Sequence, residues 1–147
     1  MSYEERNTVA AIVVNLCVVA FFAWLIMSMY GDGAFAGNEG LAVWARTVLW
    51  VIPASVVASI VVTILFNIVF SIATQDEDPD TTVDERDRSI SIKGMRVTMI
   101  VASAGFIGAL ALLALGWSPL IGLNVILAGF ALGDLGGSVT RMALYRS

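Results

Sequence analysis

Histidine is absent from the 147 residues, and cysteine occurs once, at Cys17. The first absence removes the commonest general base, the usual zinc ligand and the usual pH switch. The second rules out a disulfide framework and a cysteine-rich metal site. Charge is also scarce, at 14% of residues, where a soluble domain carries about 25%. The net charge of −4 argues against a nucleic-acid binder, which would present a basic face. What fills the chain instead is apolar: 59% of residues are hydrophobic and the mean hydropathy is +0.87. A soluble fold of this length could not bury so much apolar surface, so the expected solvent is lipid and the expected class is all-α, an integral membrane four-helix bundle.

A bilayer core about 30 Å thick takes about 20 apolar residues in a helix. The hydrophobic runs predict spans over about 8–30, 41–74, 95–115 and 119–143, within a single transmembrane domain covering 1–147. The second is longer than a bilayer needs and should tilt or project. Glu4, Glu5 and Arg6 do not form the basic region of a secretory signal, so the first run is read as a retained helix. The segment 31–40 is glycine-rich, Gly116-Trp117-Ser118 is a tight turn, and 75–94 is a long charged loop.

Basic residues near the spans orient the chain. Arg6, Arg86, Arg88, Lys93, Arg96, Arg141 and Arg146 fall on one side, and Arg46 alone on the other. Both termini and the 75–94 loop are therefore expected in the cytoplasm, in a cell (inner) membrane. Thr82 stands three residues before Glu85, the spacing of a capping box. A helix starting there would extend the third span into the cytoplasm, with Asp84 and Arg88 spaced for an ion pair. Asp76, Asp78 and Asp80 could offer oxygen ligands to a divalent cation, but a solvated acidic face is the preferred reading and no metal or cofactor is expected.

Within the spans, Ser55, Ser59, Thr63, Asn67 and Ser71 recur every fourth residue on one ridge of the second helix, one turn after Pro53, which should kink it. The ridge reads first as a packing seam with hydroxyls tied to their own backbone, and second as a polar path lining a cavity. Gly122, Gly129, Gly133 and Gly137 share one face of the fourth span, with Gly105 and Ala109 forming a matching small face on the third. Two readings of the glycine face stay open, contact within the bundle and a homodimer surface. Asp134 is the one acid inside a span. Counted from the cytoplasmic ends, Asn15, Thr63, Asn67 and Ser103 fall at a similar depth, which predicts one polar layer around Asp134. The layer requires Asp134 to face the bundle rather than lipid. Arg141 is expected to reach toward the cytoplasm, and Asn124 to be an isolated contact residue.

The block Asp84-Glu85-Arg86-Asp87, followed by Lys93-Gly94, Arg96 and the ending Leu144-Tyr145-Arg146, resembles a family of small prokaryotic four-helix membrane proteins without an assigned activity. The resemblance covers about 84–147; the amino-terminal half matches in layout alone. It implies a bacterial or archaeal inner-membrane protein and, because genes of this type often neighbour helix-turn-helix regulators, a cytosolic regulator as partner. It assigns no catalytic residues. No enzyme is expected. The leading expectation is a regulatory or scaffold protein that presents Asp84, Glu85, Arg86, Asp87, Arg88, Lys93 and Arg96 to that partner. The alternative is a small transporter or channel built on Asp134 and the polar ridge.

Overall fold

The computed structural model describes residues 3–74 and 84–146. Asp76, Asp78, Asp80 and Thr82 lie outside the described residues. The described chain forms four helices: α1 (Tyr3–Gly31), α2 (Gly40–Thr74), α3 (Glu85–Ala114) and α4 (Pro119–Tyr145). All four are long and apolar enough to cross a membrane; α1, α2 and α4 contain the corresponding apolar runs, and α3 begins ten residues before its run and ends one residue short of it. Their outward surface is densely apolar, with Trp24, Leu49, Trp50, Met99 and Ile107 among many exposed large side chains. Such a surface fits a multi-pass membrane protein and would be untenable in water.

The connections follow from local backbone chemistry. Gly33 has φ 72°, and the N–H groups of Gly33 and Ala34 return to the carbonyls of Tyr30 and Met29. This is the left-handed glycine closure that satisfies the last carbonyls of a helix. Gly116 repeats it after α3, with φ 82° and bonds from Gly116 and Trp117 to Leu113 and Leu112. Ser118 then caps α4 by accepting from the Leu120 N–H, and Pro119 occupies the first turn, where its missing N–H costs nothing. Gly116 to Pro119 thus makes the α3–α4 hairpin.

The start of α3 corrects the expected cap. Asp84, not Thr82, is the N-cap: its Oδ1 accepts from the Asp87 N–H at 2.7 Å, and Asp87 Oδ2 accepts from the Asp84 N–H at 3.3 Å. The box therefore runs from Asp84 to Asp87, because a short carboxylate at the N-cap reaches the third N–H of the helix as well as a hydroxyl does. The Asp84 carboxylate spent on this cap is not the helix-face partner expected for Arg88.

The helices alternate in direction. Asn7 meets Asn67, Arg6 meets Phe70 and Arg86 reaches Leu144 at one end. Met29 meets Thr47, and Trp44 meets Asn124, at the other. Helix α4 is central. It packs along α3 on one side and against α1 on the other, and α2 lies on α1.

The α3–α4 contact is the tightest in the molecule. A Cβ on Gly129 would come within 2.8 Å of Gly105 Cα, one on Gly105 within 2.6 Å of Gly129 Cα, and one on Gly133 within 2.7 Å of the Thr98 carbonyl. Gly137 lies under Thr98 and the Gly94 carbonyl, and Gly122 under Leu113. Of the two readings left open for the glycine face, this is contact within the bundle. All four glycines are covered by α3 of the same chain, so a second copy would have to use another surface. The small residues let two backbones approach without side chains between them, the usual basis of close helix pairs in lipid.

Candidate functional site

The functional candidates gather on the opposite side of α4. Helices α1, α2 and α4 border an open cleft, with α1 at its back and α2 and α4 as its walls. The walls are tied at one end by the Trp44 indole N–H, which donates to Asn124 Oδ1 at 3.2 Å. Trp44 is buried. Asn124, expected to be a lone helix-contact residue, makes that contact as half of a cross-helix bond at the mouth of the cleft. Beyond this bond α2 packs on α1 and makes little contact with α4. At the far end Asn67 Nδ2 donates to Asn7 Oδ1 at 3.0 Å, and the Arg6 guanidinium lies 4.8 Å from the centre of the Phe70 ring. Arg6 is only 4% exposed. A residue read from sequence as a flanking charge is therefore packed between helices, its cation set on an aromatic face.

The cleft has two adjoining compartments, both lined by Val18 and Ser55. The smaller, about 330 Å³, is walled by Asn15, Ser55, Ser59, Thr63 and Asp134 together with Ala11, Val14 and Val56. The larger, about 540 Å³, is apolar, with Phe22, Met27, Val48, Val51, Leu127 and Phe130 among its walls. Asp134 stands near the midpoint of α4, and its Oδ2 accepts from Asn15 Nδ2 at 2.6 Å. It therefore bonds α1 and is otherwise exposed at the open cleft, so the polar-layer expectation that it face the bundle is met on the α1 side alone.

The rest of that expectation divides. Asn15, Thr63 and Asp134 are brought together. Asn67 sits a turn further along α2, where it bonds Asn7 and the Thr63 carbonyl, and does not line the compartment. Ser103 is exposed on α3 and has no part in it. Depth alone placed Ser103 in the layer. Successive helical residues turn by about 100°, and it is Ala102 and Gly105 that face α4, so Ser103 points elsewhere.

Hydrogen bonding gives the polar compartment a definite character. Ser55 Oγ donates to the Ile52 carbonyl at 2.7 Å, and Ser59 Oγ to the Val56 carbonyl at 2.9 Å. Asn15 Nδ2 is committed to Asp134. Asn15 Oδ1 is buried and accepts no hydrogen bond. The two serine protons are thus spent locally, while the serine lone pairs and the exposed Asp134 carboxylate remain as acceptors and the Thr63 hydroxyl can accept or donate. At Ser55 and Ser59 both readings of the α2 ridge apply at once: the hydroxyls bond their own backbone, and the same residues line the cleft.

Two other groups complete the placement. Arg141 does not extend straight outward; Nη2 donates to the buried Ser138 Oγ at 2.9 Å, and its methylene stem crosses Gly94, where a Cβ would come within 2.6 Å of Arg141 Cγ. Asp84, Glu85, Arg86, Arg88, Lys93 and Arg96 are exposed along the first turns of α3, and Asp87 is half-buried. Arg86 makes a long contact of 3.5 Å to the Leu144 carbonyl, which holds those turns beside the end of α4. Among the described residues, no group of three metal-ligating side chains comes together. Comparison with protein-family models, with curated proteins and with solved structures finds no match.

Proposed function

We propose that the chain is a multi-pass protein of the cell (inner) membrane that binds a small cation or cationic solute in the α1/α2/α4 cleft as part of moving it across the bilayer. One observation carries this reading. Near mid-helix, where polar groups are costly in lipid, an open cleft places the exposed Asp134 carboxylate beside Asn15 and the Ser55, Ser59 and Thr63 hydroxyls, all able to accept hydrogen bonds. A static polar knot would close on itself; this one leaves the Asp134 side chain exposed beside about 330 Å³ of space. The proposed orientation has both termini and the 75–94 loop in the cytoplasm, because seven of the eight basic residues fall toward one end of the helices. The first turns of α3 would then project into the cytoplasm.

The test is cation flux in proteoliposomes, read with sodium- and proton-sensitive dyes. Flux in the wild type that is lost in Asp134→Asn supports the reading, since asparagine keeps the shape and a bond to Asn15. Flux unchanged by that substitution, or none with any cation, refutes it.

The regulatory reading, led by the sequence, has a separate observation in its favour. The capping box and the Arg86–Leu144 contact fix a charged, exposed helical end next to α4. Serine at Asp84, Glu85 and Asp87 should then remove one or more cytosolic proteins recovered with the wild type. Identical recoveries would discard it.

A further inference from the structure

We propose, building on the cleft as a cation site, that its ligand is a protonated amine carrying an apolar body rather than a bare inorganic ion. The two compartments set opposite demands on one molecule. The polar one presents the exposed Asp134 carboxylate, the Thr63 hydroxyl, and two serine oxygens whose protons are already given to Ile52 and Val56. An alkylammonium has up to three N–H donors, a positive charge and no acceptor, which is the complement of that set. The Thr63 hydroxyl on the same wall can accept or donate, so it is the charge of Asp134 that favours a cation over an anion or a carbonyl ligand there.

The second compartment adjoins the first through Val18 and Ser55, and at about 540 Å³ it is the larger. Its walls are aliphatic and aromatic apart from Ser55 and from Asn124, whose amide is occupied by Trp44 and by the Leu120 carbonyl. A hydrated metal ion would leave this volume unused. A hydrocarbon or aromatic group joined to the ammonium would occupy it while the head stays at Asp134. Drug-sized sites have this division: a largely apolar cavity with a few convergent polar groups that fix one end of the ligand.

The experiment uses the full chain in nanodiscs, with empty nanodiscs subtracted, and three probes measured by calorimetry. 2-(Naphthyl)ethylammonium carries both features, ethylammonium the head alone, and 2-(naphthyl)ethanol the body with a neutral head. The first should bind tightest, by about tenfold or more over each of the others. Asp134→Asn should weaken it by about tenfold while leaving the alcohol unchanged. Ala128→Phe, at an exposed position on the apolar wall, should weaken the naphthyl amine and spare ethylammonium. If ethylammonium or sodium binds as tightly as the naphthyl amine, the apolar body is overturned while the cation site stands. Equal binding of the alcohol overturns both. No binding of any probe overturns the amphiphile, and cation flux then judges the site independently. A cleft occupied by a copurifying acyl chain or by a helix of a second copy, seen in native mass spectra as a bound lipid or a dimer that excludes the amine, would also overturn it.

Discussion

Helix α4 has two faces that meet their neighbours in opposite ways. Toward α3 there is no room for a methyl group at Gly105, Gly129 or Gly133. Toward α2 there is room for a small molecule, and the wall includes a carboxylate. In lipid, where hydrophobic burial does not drive helices together, close backbone packing is the main source of association. The α3–α4 pair therefore supplies the rigid frame. The cleft is held by scattered side-chain bonds: Asn15–Asp134, Trp44–Asn124 and Asn7–Asn67. Such bonds contribute little each, averaging about 0.6 kcal/mol in a membrane protein. The contrast places the tight packing on one side of α4 and the proposed binding cleft on the other.

The largest expected effect breaks the tight side. Gly129→Leu forces a branched side chain against the Gly105 backbone, which cannot rotate away. It should cost about 3 kcal/mol, the upper end of the overpacking range, read as a fall in the midpoint of unfolding in detergent. The same substitution at Ala128, one residue away on the cleft side, should change the midpoint little. Equal losses at the two positions would erase the distinction between the faces.

An intermediate effect sharpens the loose side. Asp134→Leu leaves the Asn15 amide without its acceptor and should cost about 1–3 kcal/mol. Asp134→Asn preserves an acceptor and should cost much less, so ligand binding and stability separate in the second variant and not in the first. The smallest expected effect is at the mouth. Trp44→Phe keeps the ring but removes the donor to Asn124, for about 0.6 kcal/mol, and should loosen α2 from α4 without touching the glycine face. A loss as large as that of Gly129→Leu would mean that α2 and α4 are coupled as tightly as α3 and α4.

Most of this division could be read from residue spacing. The glycines of α4 recur at helical intervals, and Gly105 with Ala109 supplies the matching face on α3, so the seam was visible before any coordinates. Asp134 was conspicuous as a lone acid in an apolar run. Depth counting then found Asn15 and Thr63 correctly, because both lie on helices that border the cleft. It failed at Ser103, because depth carries no information about rotation around a helix axis. The apolar compartment left no sequence signal: Ala23, Ala128 and Ala131 line it, and small residues there look the same as small residues in a packed seam. The pairing of Trp44 with Asn124 was equally hidden, since tryptophan near a helix end reads first as an interfacial anchor. The cap of α3 was misplaced by two residues because hydroxyl and carboxylate caps compete in a stretch rich in both.

The most direct test of the cleft is thiol labelling in native membranes. In a Cys17→Ala background, Ser59→Cys and Thr63→Cys place a thiol in the polar compartment, and Ala102→Cys places one in the buried α3–α4 seam. A small water-soluble maleimide should modify the first two and leave the third unmodified, with 2-(naphthyl)ethylammonium slowing the reaction at Ser59 and Thr63. Labelling that is equally absent at all three positions would contradict the account, because the cleft would then be no more accessible than the glycine seam.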